Sequence, residues 1–342
     1  MRGVVFTGES KLEIKEFPDP APGPGQVVVK MRSSGLCGSD LRPYRSTAEQ
    51  LGPRLQIISG HEPCGEVVEL GQDVTNVKVG DRIMVHHYSG CQMCEFCQTG
   101  WTQLCQSEYQ KVYGSGAHGG NADYELVQDY MCVQLHEGVS FEEGAAISCG
   151  TGTAYQALRR LDVSGRDVLA VFGQGPVGLS GTFLGAHMGA RVIAVDPVPE
   201  RRKLAEDCGA WKSIDPNAVN PVEAIYEMTG GRGADATLDA TGIGEVRANA
   251  IRSTRIWGRA CLVGEGGTMN LEPSPDIIHR QLSLFGSWTF STVILQELAN
   301  WIVERDIPLH SIITDRFTLD KAEEAFKLFS GGTTGKVVFN WD

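Results

Sequence analysis

The chain has 342 residues, of which 42% are hydrophobic and 21% charged, a balance typical of globular domains rather than of disordered or fibrous chains. Its net charge of −12 argues against a protein that holds nucleic acid or anionic membrane through a positive field, and no apolar run reaches the roughly 18–20 residues that span a bilayer. The N-terminal segment lacks the apolar core of a signal peptide. We therefore expect a cytoplasmic protein with neither nucleic-acid nor membrane partners.

The first 148 residues are predicted to form an all-β domain. Three apolar or alternating runs, at 26–35, 65–71 and 80–88, are bounded by Gly, Asp or Pro, as short strands are. Such strands, separated by turn signals, fit a barrel or a sandwich.

Between residues 149 and 288, strands and helices alternate. The predicted strands are the apolar segments 167–173, 191–196, 234–242 and 259–267, and one helix is expected around 199–208. This alternation predicts a parallel sheet that helices cover on both faces. Segment 284–290 is a candidate edge strand.

The tail from residue 289 contains two helical patterns, at 293–304 and 319–330, and then a strand at 335–341. Because that strand has the β character of the first segment, we assign the tail to the first domain. The predicted domains are therefore 1–148 with 289–342, and 149–288.

A glycine-rich turn follows the first strand of the second domain. Gly173 permits a tight turn, Gly175 lets the backbone approach a pyrophosphate, and Gly178 lets helix and strand pack closely. The helix that follows offers its free N–H groups to phosphates. Asp196 ends the next strand, where a carboxylate accepts hydrogen bonds from the adenosine ribose and repels a 2′-phosphate. These features predict a dinucleotide site.

NAD is favoured over NADP, although Arg201 and Arg202 closely follow the acidic residue and can accommodate a 2′-phosphate. We assign Arg201 to the cofactor site. The remaining predicted contacts are Pro176 and Val177, beside the glycines, and Val263 and Gly264, within the predicted strand 259–267.

Four of the ten cysteines lie close together, at Cys91, Cys94, Cys97 and Cys105. Two successive C-x-x-C steps and a fourth cysteine can wrap four thiolates around one tetrahedral Zn²⁺. Disulfides are disfavoured in a reducing cytosol, and an iron–sulfur cluster lacks its usual Cys-Pro context. The spacing predicts a structural zinc loop.

Three further polar segments lie at predicted strand ends: GLCGSD (35–40), GHEPCG (60–65) and SCGTG (148–152). With the cysteine loop and the glycine-rich turn, they resemble the zinc-dependent medium-chain dehydrogenases/reductases, which include alcohol, sorbitol and threonine dehydrogenases. The resemblance covers essentially the whole chain. It implies an α/β protein with an all-β GroES-like catalytic domain and a doubly wound Rossmann coenzyme domain.

The resemblance also implies a catalytic zinc, and hence two zinc ions per subunit. Its ligands would be Cys37, His61 and Cys149, where the third ligand is often Glu in polyol and threonine enzymes and Cys in alcohol dehydrogenases. Glu62 matches an acid that can approach the metal and help to exchange its bound water. A zinc with an open position lowers the pKa of a bound alcohol, whose hydride then passes to the nicotinamide.

By the same resemblance, Ser39 takes the alcohol proton into a relay and Asp40 orients the zinc-bound imidazole. Where that relay often ends in His, this chain has Arg42, which cannot give up a proton near neutral pH. The proton must therefore leave through water, a ribose hydroxyl or another residue.

The expected substrate is a small secondary alcohol or polyol. In the family the segment after Asp40 borders the substrate cleft, and here it carries Arg42, Arg45 and Arg54, which could hold an anionic group or belong to a solvated loop. His86 and His87 are candidate cleft residues, although one of them can be a polar strand-end residue.

Alternatives remain: a polyol or L-threonine 3-dehydrogenase-type enzyme, or a non-catalytic protein that kept the fold. Family resemblance also implies a homodimer or homotetramer. The four remaining cysteines, which belong to neither predicted zinc site, are expected to be core thiols: Cys64, Cys132, Cys208 and Cys261.

Overall fold

The computed structural model describes residues 1–341, which divide into two compact units. One contains Met1–Gly152, Phe290–Gly331 and the residues from Lys336 on, and the other contains Thr153–Thr289 and Gly332–Gly335. Within residues 1–341 we find no helix both long and apolar enough to cross a membrane.

The first part of the first unit consists mainly of short strands. They are β1 (Arg2–Gly8), β2 (Lys11–Glu16), β3 (Gln26–Gly35), β4 (Pro63–Leu70), β5 (Arg82–Val85), β6 (Tyr88–Ser89), β7 (Lys111–Val112), β8 (Tyr124–Gln128) and β9 (Cys132–Gln134). The predicted strand at 80–88 is thus interrupted at the two histidines, and β3 has the predicted bounds.

This part also contains helices that the strand pattern did not predict. They are α1 (Leu41–Arg45), α2 (Ala48–Leu51), α3 (Glu95–Gln98) and α4 (Phe141–Ala146). Each has four to six residues, too few for a helical period to emerge from the sequence. The predicted all-β domain is therefore β-rich with short helical inserts. A π-helical turn, Ile147–Thr151, follows α4 and leads into α5 (Gly152–Arg160).

The second unit contains a parallel sheet of six strands. Its elements are β10 (Val168–Phe172), α6 (Pro176–His187), β11 (Arg191–Val195), α7 (Pro199–Asp207), β12 (Lys212–Ile214), α8 (Pro221–Met228), β13 (Ala234–Asp239), α9 (Gly244–Ser253), β14 (Thr254–Leu262) and β15 (Ser283–Gly286). All five residues of β10 are buried, as expected of a central parallel strand.

The order of these strands is β12-β11-β10-β13-β14-β15, so chain direction across the sheet reverses between β10 and β13. Ligands of doubly wound sheets bind beyond the carboxyl ends of the strands at such a reversal. The glycine-rich turn follows β10 and is therefore at that place. β15 forms one edge of the sheet.

The tail completes the first unit with α10 (Thr292–Glu304), β16 (Ile313–Phe317), α11 (Ala322–Ser330) and β17 (Lys336–Asn340). The main sheet of this unit has the order β16-β17-β3-β4-β5-β9, and β8 also pairs with β3. In this sheet β17 pairs antiparallel with β3, with Val338 opposite Gly35. The tail thus returns to the strand that leads directly to Cys37.

Candidate active site

Four potential metal ligands from separate parts of the sequence meet inside the first unit. Cys37 follows β3, His61 and Glu62 precede β4, and Cys149 lies in the π-helical turn. Their ligand atoms all lie within 4.8 Å of one another, and the two Sγ atoms are 4.0 Å apart. π-Helical turns are rare and occur frequently at functional sites.

Asp40 orients the imidazole of His61. Its Oδ1 lies 2.9 Å from Nδ1 of the histidine, and its Oδ2 accepts a hydrogen bond of 2.9 Å from the backbone N–H of Cys37. Burial lowers the pKa of His61, but the charge and hydrogen bond of Asp40 outweigh it and the pKa is well above its usual value. Nε2 lies 3.1 Å from Ser39 Oγ. One carboxylate thus holds both the backbone of Cys37 and the imidazole of His61.

Glu62 is held by a lysine that the sequence analysis missed. Lys336, in β17, and Glu62 are both fully buried, with Nζ 2.5 Å from Oε2. Oε1 accepts a hydrogen bond of 3.2 Å from the backbone N–H of Gly150, and Lys336 also donates to the carbonyl of Leu36. Burial raises the pKa of Glu62 to about 7, while the charge of Lys336 opposes that rise. A lysine within the apolar segment KVVF is the signal that was available.

The two thiols of this group differ in acidity. The hydrogen bond from Cys149 lowers the pKa of Cys37 well below its usual value. The same hydrogen bond, together with burial, raises the pKa of Cys149. Two thiols, an imidazole whose far nitrogen is held by a carboxylate, and a nearby carboxyl group form a donor set of the kind that zinc takes in catalytic sites. The residues present therefore fit the metal.

The second group of cysteines lies in one loop. The Sγ atoms of Cys91, Cys94, Cys97 and Cys105 also lie within 4.8 Å of one another. All ten cysteines are free thiols in this structure. Backbone N–H groups of Cys94 and Cys91 donate to sulfur atoms of Cys91 and Cys105, at 3.3 and 3.4 Å. Such N–H donors favour the thiolate form of the cysteines, which a tetrahedral zinc site requires.

The two histidines before this loop differ in the hydrogen bonds of their Nδ1 atoms. His86 is fully buried and bonded, with Nε2 3.0 Å from the carbonyl of Phe290 and Nδ1 3.2 Å from Thr102 Oγ1. His87 is equally buried, but its Nδ1 has no hydrogen-bond partner among residues 1–341. Its ring centroid lies 5.1 Å from that of His61.

The glycine-rich turn of the second unit has the geometry of a phosphate cradle. Gly173 has a φ of +86°, and a Cβ on Gly178 would lie 1.7 Å from the carbonyl oxygen of Gly173. Gly175 precedes α6, and a Cβ there would meet only the guanidinium of Arg201, at 3.9 Å. The backbone is thus open at the helix N-terminus, where a pyrophosphate would bind.

Asp196 is buried against this turn. Its Oδ2 accepts from the backbone N–H of Gln174 at 2.6 Å, and its Oδ1 accepts from that of Val198 at 2.8 Å. Arg202 donates through Nη1 to the carbonyl of Asp196 at 2.8 Å, and its Nη2 pairs with Asp215 at 3.1 Å. Arg201 has an unpartnered Nε among the described residues and is the arginine that faces the turn.

The other predicted cofactor residues lie near the same strand ends. Pro176 and Val177 open α6. Val263 and Gly264 directly follow β14, and their N–H groups donate to the carbonyl of Asp239 at the end of β13. A Cβ on Gly264 would lie 2.1 Å from the backbone nitrogen of Gly242, so close packing requires glycine there.

A doubly wound sheet with a glycine-rich turn, and a buried thiol–imidazole group in the same chain, define a dinucleotide-dependent metal dehydrogenase. Comparison with known proteins agrees with this class. Residues 23–137 match the alcohol dehydrogenase GroES-like domain, and residues 176–304 match the zinc-binding dehydrogenase family.

The chain is 38% identical to the uncharacterized zinc-type alcohol dehydrogenase-like protein YphC of Escherichia coli K12, over 100% of this chain and 99% of that one. It is 31% identical to L-threonine 3-dehydrogenase of Pyrococcus horikoshii over 96% of this chain and 94% of that one. Alcohol dehydrogenase TADH from Thermus sp. ATN1 shares its fold with a TM-score of 0.90, at 25% identity over 99% of each chain. The chain belongs to the zinc-binding medium-chain alcohol dehydrogenase family and is an oxidoreductase. The predicted family and fold class are thus confirmed.

Proposed function

We propose that the protein is an NAD-dependent dehydrogenase of small secondary alcohols or polyols, with a catalytic and a structural zinc in its first unit. The observation that carries this proposal is the convergence of Cys37, His61, Glu62 and Cys149 within 4.8 Å. These residues come from three separate segments, and their four side chains supply the donor types of a catalytic zinc site.

We infer that the first unit is catalytic and that the second binds the coenzyme. Cys37, His61 and Cys149 would hold the catalytic zinc, with Glu62 beside it, and the four loop cysteines would hold the structural zinc. A zinc with an open position supplies a Lewis acid that lowers the pKa of a bound alcohol.

The residues of the chain then have separate tasks. Asp40 fixes His61 through Nδ1, which leaves Nε2 free to bind metal. Ser39, 3.1 Å from that nitrogen, would accept the alcohol proton. Arg42 cannot carry it further, so the proton would leave through water, a ribose hydroxyl or another residue. Lys336 and the N–H of Gly150 hold the Glu62 carboxyl group in the metal site.

Asp196 supports a preference for NAD. Its carboxylate lies at the end of β11, where it would accept hydrogen bonds from the ribose hydroxyls of a bound dinucleotide. It would also repel a 2′-phosphate. Arg201 is placed to neutralise the pyrophosphate at the turn. Both oxygens of Asp196 already accept one backbone N–H, and each retains a lone pair for ribose.

His87 favours a polyol over a purely apolar alcohol. Its Nδ1 is buried and unpartnered among the described residues, next to the His61 ring. A buried polar atom without a partner carries a penalty of about 1–3 kcal/mol, and a substrate hydroxyl would remove it. L-Threonine is a second candidate substrate, because a relative of 31% identity is an L-threonine 3-dehydrogenase.

We further propose a homodimer or homotetramer in the cytoplasm. The outer side of the edge strand β15 has no partner strand within residues 1–341. Large apolar residues around it are exposed, Trp257 by 71% and Leu284 by 37%. Ten free thiols fit a reducing compartment.

The test combines metal content with turnover. Purified protein should contain two zinc ions per chain and reduce NAD faster than NADP with secondary alcohols or polyols. One zinc and no turnover would identify a protein that kept only its structural site. Turnover with threonine alone would replace the polyol assignment by the threonine one.

A further inference from the structure

An open pocket in the first unit is lined by arginines and has no acidic residue in its wall. Its volume is about 490 Å³, and its lining residues are Arg42, Arg45, Ser46, Gln50 and Arg54. No carboxylate among residues 1–341 pairs with any of the three guanidinium groups, although the chain carries a net charge of −12. Three guanidinium groups without a carboxylate partner around one pocket form a site suited to bind an anion.

Two of these guanidinium groups are fixed by the fold. Arg45 Nη2 donates to the carbonyl and to the hydroxyl of Ser330, at 3.0 and 2.9 Å. Arg54 Nη2 donates to the carbonyl of Gln50 at 3.1 Å. Each guanidinium carries five N–H donors, so both arginines keep donors for a ligand. The guanidinium of Arg42 makes no hydrogen bond within the described residues and is wholly available.

The pocket begins one helical turn from the candidate metal site. Ser39, whose Oγ lies 3.1 Å from His61 Nε2, is in the 3₁₀ turn Gly38–Asp40, and α1 continues it to Arg45. Side chains three residues apart on a helix share a face, with Cβ atoms about 5–6 Å apart. Arg42 therefore follows Ser39 on the same face, and a substrate of several carbons can reach both.

Resting on the dehydrogenase function above, we propose that the physiological substrate is a polyol monophosphate, whose phosphate is bound by Arg42, Arg45 and Arg54. A phosphate monoester presents three terminal oxygens and up to two negative charges, whereas a carboxylate presents two oxygens and one charge and needs only one arginine. The reaction transfers a hydride from the carbinol carbon to NAD and the hydroxyl proton to solvent. The phosphate ester remains intact.

The test compares sorbitol, sorbitol phosphate and gluconate as substrates with NAD, for the wild type and for Arg42→Ala. Arg305→Ala is the matched control, because Arg305 is exposed in the same unit and does not line the pocket. We expect the ratio of kcat/KM for sorbitol phosphate over sorbitol to fall about 10- to 100-fold in Arg42→Ala and to stay within twofold, roughly, in the control. Calorimetry with inorganic phosphate measures the pocket without turnover.

The outcomes separate this proposal from the dehydrogenase function. Turnover of sorbitol without a preference for its phosphate, or a stronger preference for gluconate, overturns the phosphate assignment and leaves the dehydrogenase in place. If no alcohol is turned over, the dehydrogenase function fails and calorimetry decides alone. Phosphate binding that is lost in Arg42→Ala then supports the pocket, and no binding to the wild type overturns it.

Discussion

The two cysteine-containing groups of this protein differ in how the chain brings their ligands together. In both, the ligand atoms lie within 4.8 Å of one another. The loop group comes from one short segment between Cys91 and Cys105, and two of its four thiols are half-buried. The other group, which we call the dispersed group, spans Cys37 to Cys149 and lies in the interior. The first is shaped by local backbone turns, and the second exists only once the sheet has formed.

The two groups also differ in the atoms that hold their ligands in place. In the loop, backbone N–H groups of the loop itself donate to the sulfurs. In the dispersed group, support comes from the side chains of Asp40 and Lys336 and from the backbone N–H of Gly150, and Lys336 is 274 residues away from Glu62 in the chain. The dispersed group should therefore be sensitive to substitutions far away in sequence, and the loop group should not.

The largest effect is expected when the dispersed group loses a ligand. Cys37→Ser should lower the zinc content from two to one per chain and reduce kcat/KM by at least about 10³-fold, because the Lewis acid contributes several kcal/mol to the reaction. Elemental analysis and steady-state kinetics measure both. Cys132→Ser, a thiol of the same unit outside both groups, is the control. Full activity of Cys37→Ser would show that this group is not the reaction centre.

The buried ion pair should be the next most costly feature to break. Lys336→Met leaves the Glu62 carboxyl group buried without its cation, which typically destabilises a fold by about 3–5 kcal/mol. Denaturant unfolding of the protein measures this loss. The double variant Lys336→Met/Glu62→Gln should recover most of it, because no buried charge remains. A single variant as stable as the wild type would contradict an ion pair at this position.

Much of the fold could be predicted from the sequence because local sequence patterns determine it. The turn at Gly173–Gly178 and the strands around it are local, and so is the cysteine loop. Lys336 was missed because a lysine in an apolar segment does not indicate which distant carboxylate is its partner. Likewise, Cys149 could be assigned only through family resemblance, since a π-helical turn has no sequence period of its own.

A smaller effect is expected from the residue that orients the imidazole. Asp40→Asn keeps the shape but removes the charge that holds His61 Nδ1 at 2.9 Å. Loss of such a partner typically costs about 10- to 100-fold in metal affinity or activity. Competition with a zinc-binding dye measures the affinity. Asp40→Glu, which keeps the charge, should restore part of it, and an unchanged affinity in Asp40→Asn would assign Asp40 to backbone capping alone, through the N–H of Cys37.

The smallest effect on catalysis is expected in the loop. Cys97→Ser should also lower the zinc content from two to one, yet kcat/KM of the folded enzyme should stay within about tenfold of the wild type, because the loop ligands are separate from those of the reaction centre. Its cost should instead appear in stability, as a lower Tm and faster proteolysis between residues 91 and 105.

In the wild type, a chelator should produce the same Tm loss before activity disappears, because the thiols of Cys91 and Cys94 are half-buried while Cys37 and Cys149 are buried. If Cys97→Ser lost as much activity as Cys37→Ser, the two groups would depend on each other, and their separation into a local and a fold-dependent site would be wrong.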